Sequence, residues 1–155
     1  MKRGTWFMIA ALAIVMIIGL AGPQMLRPDR ALASAQVEAH VPPEPEFDRL
    51  LQRDLEAYFS ASLTPGRRLT YSLLRRNATQ SGADFPKYYA WVEIRSPEAR
   101  VTSGAVRLSA IEKKRFEVTH FLTAEQIRSE PASPTALFPL TLIASLRAQA
   151  AKDLR

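Results

Sequence analysis

The chain has 155 residues, 23% of them charged, a formal net charge of +6 and no cysteine. That length is one domain's worth, and the missing cysteine excludes disulfides, thiolate metal sites and thiol nucleophiles together, so packing must stabilise the fold. Lys2, Arg3, Arg27 and Arg30 against Asp29 account for half of the positive excess; the remainder of the chain holds 17 basic and 14 acidic residues, with Lys113, Lys114, Arg115 as its longest basic run, and no nucleic-acid partner is expected.

Residues 1–22, MKRGTWFMIAALAIVMIIGLAG, set Lys2 and Arg3 before an apolar run, and no charge falls between Gly4 and Leu26. As a helix rising about 1.5 Å per residue, Thr5 to Gly22 spans about 27 Å, close to the hydrocarbon thickness of a bilayer, with Trp6 at one interface. The positive-inside preference holds the amino end in the cytoplasm and sends everything after Arg27 across. Two readings follow. The length of the run favours an uncleaved anchor; the alternative is a signal peptide cut at the small residues Ala31 to Ala33 or Ala33 to Ala35, which lie beyond a charged RPDR spacer. The membrane is thus a partner through this helix, and the expected location is a bacterial inner membrane, single-pass, with the domain on the periplasmic side, or the periplasm itself after cleavage.

Residues 23–45, rich in proline and alanine, predict an extended, poorly ordered tether, and His40 within it is assigned no role. A single domain over 46–155 follows. In EFDRLLQRDLEAYFSASL, Phe47, Leu50, Leu51, Leu55, Tyr58 and Phe59 recur at helical spacing, and Pro65 with Gly66 ends the helix. The period then falls to two, which predicts strands over about 67–79, 87–95, 100–112 and 115–122. Their connectors are short, so an antiparallel meander is the economical topology. Gly104 marks a bend or bulge. Thr123 and Gln126 have capping-box spacing for a helical turn through about Arg128, Pro131 to Ala136 reads as a loop, and a final helix from about Pro139 carries Leu142, Ile143, Leu146, Ala150 and Leu154 as an apolar stripe. That helix is expected beside the first one or at the sheet edge.

The resulting class is α+β: an N-terminal transmembrane helix, then a helix, a four-stranded antiparallel meander and a C-terminal helix. This order resembles the cystatin-like and NTF2-like group of folds, in which a curved sheet wraps a helix. Such folds host enzymes, binding modules and assembly components alike, so the resemblance implies no activity.

Alternation sorts the strands into two faces. One collects Leu69, Tyr71, Leu73, Tyr88, Ala90, Val92, Ile94, Val106, Leu108, Ala110, Phe116, Val118, His120 and Leu122, and is expected to pack on the helices. The other is mixed and includes Tyr89, Trp91, Glu93, Arg95, Arg107 and Glu117. Aromatic residues among arginines are typical anchors of binding surfaces, so Tyr89, Trp91, Arg95 and Arg107 are the candidate partner-binding residues, facing an envelope protein or a small ligand. The bland reading of the same residues is cross-strand packing on a half-wet sheet.

Motifs for chemistry are sparse. No GxSxG, HExxH, EF-hand or glycine-rich phosphate loop occurs, and neither a catalytic residue, a metal nor a cofactor is predicted. Glu93 and Glu117 are candidate neighbours, read first as ion-pair partners of nearby arginines. The leading expectation is an exported, membrane-tethered, non-enzymatic binding or assembly module. The alternatives are a small periplasmic enzyme with a pocket between sheet and helix, where His120 and Tyr71 act as acid or base, and a purely structural anchor.

Overall fold

The structure, a computed structural model, describes residues 28–79 and 83–153, with Pro28, Asp29 and Arg100 described by their backbone alone. The apolar run of residues 5–22 lies outside the described residues, among which no helix is long and apolar enough to cross a membrane.

The first described element corrects the expected tether. From Pro28 to His40 the chain is a helix, α1, rather than an extended strap. Ala31, Ala33, Ala35 and Ala39 supply strong helix propensity, and Pro28 sits where the first turn needs no N–H. Val41 precedes the Pro42, Pro43 pair, whose steric demand on the residue before it stops the helix. The second helix, α2, runs Glu44–Tyr58, with Glu44 and Glu46 in its first turn where the helix dipole favours carboxylates, and it buries Phe47, Leu50, Leu51 and Leu55.

Four strands follow: β1 Arg68–Leu73, β2 Lys87–Arg95, β3 Arg100–Ile111 and β4 Arg115–Thr123. They pair antiparallel in the order β1-β2-β3-β4, the expected meander. The turn joining β3 and β4 places Glu112 at φ 52° and Lys113 at φ 58°. Positive φ at both central residues is what a tight hairpin needs to match the strand twist, although neither residue is a glycine. The end of α1 secures this strained turn. His40 Nδ1 accepts the Glu112 N–H at 3.1 Å, and the His40 carbonyl accepts the Lys113 N–H at 2.8 Å.

Arg107 pairs with His120 but Leu108 pairs with Val118, so Thr119 is an extra residue on β4. Such a bulge inverts the alternation beyond it. Phe116, Val118 and Phe121 therefore face α2, while Leu122 joins the opposite face. His120 is exposed beside Arg107, correcting its expected place on the apolar side. Gly104 serves a close approach of β4: a side chain there would overlap the Leu122 carbonyl oxygen and come within 2.7 Å of Phe121 Cε2.

Both faces of the sheet are covered. One core joins α2 to Leu69, Tyr88, Val92, Ile94, Val106, Leu108 and Phe116. The other is built by the carboxy-terminal segment: α3 Ala124–Ser129, capped by the predicted Thr123 and Gln126 box, then α4 Ala132–Leu137, then α5 Leu140–Lys152. The expected loop at Pro131 to Ala136 is thus largely a short helix. Leu142, Ile143, Leu146 and Ala150 of α5 do form its stripe, Leu154 lying outside the described residues, but they pack with Tyr89, Trp91, Ala105 and Leu122 on the second face of the sheet, not with α2.

Candidate functional site

The four candidate residues separate. Tyr89 and Trp91, expected to face outward, are 4% and 2% exposed in the second core. The Tyr89 ring lies 5.8 Å from that of Phe138, its hydroxyl is 2.8 Å from Thr79 Oγ1, and the Trp91 indole N–H donates to Asp153 Oδ2 at 3.0 Å. Alternation alone does not reveal that this face is covered, because its cover lies more than thirty residues downstream of the β2 aromatics. A signal was present: Tyr88, Tyr89, Ala90, Trp91 and Val92 are consecutively apolar, the pattern of a strand buried on both sides.

Arg107 is half-buried, and its Nε is sealed from solvent with no hydrogen-bond partner among the described residues. The register aligns Tyr89, Arg107 and His120 across β2, β3 and β4, and next to them Lys87, Ser109 and Glu117. Lys87 Nζ donates to Ser109 Oγ at 3.0 Å, and Glu117 and His120 are exposed. This charged strip is the part of the second face near the β3–β4 hairpin. At the other end of that face Arg95 is exposed, its Nη2 2.6 Å from Glu93 Oε2.

The proposed acid and base partners do not meet. Tyr71 is on β1 facing α2, while His120 is on β4 facing away, at opposite edges of the sheet. The Tyr71 hydroxyl donates to Asp48 Oδ1 at 2.8 Å. Burial first, then that bond and the carboxylate charge, push the phenol well above its ordinary range, so it stays protonated near neutral pH. Glu93 and Glu117 are also apart. They pair with Ser103 and Ser109, six residues along β3, which corresponds to about 20 Å.

A cleft of about 370 Å³ opens between the start of α2 and the sheet, with Glu44, Asp48, Arg76 and Tyr88 contributing its polar groups and Phe47 a wall. Burial and the Glu44 charge raise the Tyr88 phenol above its ordinary range, so this cleft offers a protonated phenol beside two acidic side chains and Arg76. A second cleft, of about 510 Å³, lies where β1 begins and β2 ends, lined by Arg68, Thr70 and Arg95. Among the described residues no group of three histidine or carboxylate side chains is placed to hold a metal ion.

The chain matches no protein-family model, no curated protein and no solved structure.

Proposed function

We propose that this chain is an exported, non-enzymatic binding or assembly module, anchored by residues 5–22 in a bacterial inner membrane with residues 46–155 on the periplasmic side. The sheet that packs one face on α2 supports the cystatin-like or NTF2-like form of the fold. The apolar leader supports the anchor.

The observation that carries the binding role is the charged strip of Lys87, Arg107, Glu117 and His120 beside the carboxy-terminal helices, with a guanidinium N–H at its inner edge that has no partner among the described residues. Buried donors normally find partners, and leaving one unmade costs about 1–3 kcal/mol. An envelope protein docking along this strip meets charges of both signs, which favours polar, oriented contact.

The test is crosslinking in intact envelopes, comparing the natural chain with an Arg107→Met, His120→Ala double variant whose circular dichroism is unchanged. Loss of the crosslinked species is expected; its full retention refutes the strip as the docking surface. Fractionation decides the anchor: the chain should leave the membrane only in detergent, and recovery of a soluble species beginning at Ser34 or Gln36 overturns that part.

A further inference from the structure

The cleft at the far end of the sheet from the β3–β4 hairpin carries a separate inference. Arg68 on β1 is the direct register partner of Arg95 on β2, and Arg95 is in turn opposite Arg100 on β3. Like charges directly opposite each other on neighbouring strands are destabilising, and here Arg68 and Arg95 face each other at the sheet end. The available compensation is uneven. Arg95 is held by Glu93, two residues back on the same strand, with its Nε 2.8 Å and its Nη2 2.6 Å from one carboxylate oxygen. Arg68 forms no ion pair among the described residues.

The surroundings shape this charge into a concavity. On one lip, Gly66 at φ 85° turns the chain into β1, and Arg67 N donates to the Thr64 carbonyl at 3.0 Å to close that turn. The Arg67 guanidinium is committed to the Ser62 carbonyl at 3.1 Å. On the other lip, Ser96 closes the β2–β3 turn: its amide and hydroxyl both donate to the Ala99 carbonyl, at 2.8 and 3.1 Å. Between the lips the cleft of about 510 Å³ is lined by Arg68, Arg95 and Thr70, with Pro97 as an apolar wall and, among the described residues, no acidic residue in its lining. That volume lies within the range of small-molecule sites, and the planar fork of arginine matches a phosphate or carboxylate with two parallel hydrogen bonds.

We propose that the Arg68–Arg95 cleft binds a small phosphate-bearing anion, which supplies a counter-charge to Arg68. Arg68 is the main donor because it forms no ion pair among the described residues, and Arg95 assists while keeping Glu93. The cleft opens at the end of the sheet away from the hairpin that His40 of α1 holds. A phosphate-bearing ligand in solution and a phospholipid headgroup share this chemistry, and the experiment separates them.

The full chain in neutral detergent is titrated with inorganic pyrophosphate by calorimetry, and in parallel incorporated into phosphatidylcholine vesicles with or without phosphatidylglycerol. Pyrophosphate is expected to bind and to raise the melting temperature, and Arg68→Gln to weaken it at least tenfold. In the absence of any anion, Arg68→Gln is expected to melt no lower than the natural chain, because it relieves a like-charge contact; a merely structural arginine lowers the melting temperature instead. Arg68-dependent protection by phosphatidylglycerol alone assigns the cleft to a headgroup and supports the same chemistry. Absence of Arg68-dependent binding in both arms overturns the proposal. The Arg107→Met, His120→Ala variant keeps this cleft intact, so pyrophosphate binding persists there whether or not the docking strip is real.

Discussion

Trp91 separates a binding-face reading from a core reading most sharply. As a surface anchor, its truncation leaves folding almost untouched; as a core residue 2% exposed under α3 and α5, it does not. Removing a buried indole forfeits its transfer free energy and leaves a cavity among Ile127, Leu142 and Leu146, so Trp91→Ala is expected to lose about 3–5 kcal/mol. That is a large part of the 5–15 kcal/mol or so that a domain of this size has in total. Trp91→Phe keeps most of the apolar volume but removes the N–H that Asp153 accepts, and is expected to lose about 1.5–3 kcal/mol. The assay is urea unfolding of the full chain in neutral detergent, followed by far-ultraviolet circular dichroism because Trp6 also fluoresces. A double-mutant cycle with Asp153→Asn isolates the indole–carboxylate coupling. If Trp91→Ala loses less than about 1 kcal/mol, as a surface substitution does, the second core does not hold and the carboxy-terminal helices do not seal that face.

Further outcomes follow from single contacts. Gly104→Ala puts a methyl group onto the Leu122 carbonyl oxygen, where backbone cannot yield cheaply, and is expected to lower stability by about 3 kcal/mol in the same unfolding assay. Asp54→Ala removes the carboxylate that accepts the Phe116 amide at 2.6 Å and ties α2 to β4; a loss of about 1.5–3 kcal/mol and faster exchange of that amide are expected. His40→Ala should accelerate hydrogen exchange at the Glu112 amide about tenfold, the equivalent of one ordinary hydrogen bond, while Gln36→Ala on the same helix should not. With rising pH, Tyr71 and Tyr88 hold their protons longer in the folded chain than in the unfolded one. Their contribution is therefore complete below the ordinary phenol range and lost as pH climbs above about 10, so alkaline melting should be blunted in Tyr71→Phe.

What was legible in the sequence depended on whether the deciding interaction is local. The span of β2, Lys87–Arg95, and the order of all four strands could be read because alternation and turn residues are properties of short segments. The Thr123 and Gln126 box is equally local, and both of its hydrogen bonds are present. The candidate site depended on two things that alternation does not carry. One is the single extra residue at Thr119, which moves His120 and Leu122 to the other face without changing the apolar content of β4. The other is the destination of the α5 stripe. Leu142, Ile143, Leu146 and Ala150 require an apolar partner somewhere, and the faces of α2 and of Tyr88, Val92 and Val106 already satisfy each other.

That constraint links fold to function. Once α5 occupies the aromatic middle of the second face, the charged groups proposed for recognition on that face lie at its ends: Lys87, Arg107, Glu117 and His120 near the hairpin, Arg68 and Arg95 at the opposite end. Arg95 and Arg107 remain in that set, whereas Tyr89 and Trp91 act beneath it by fixing the strands that carry them. Recognition at such ends is electrostatic and hydrogen-bonded rather than a matter of buried aromatic area, so its strength should fall with salt in a way that an aromatic hot spot would not.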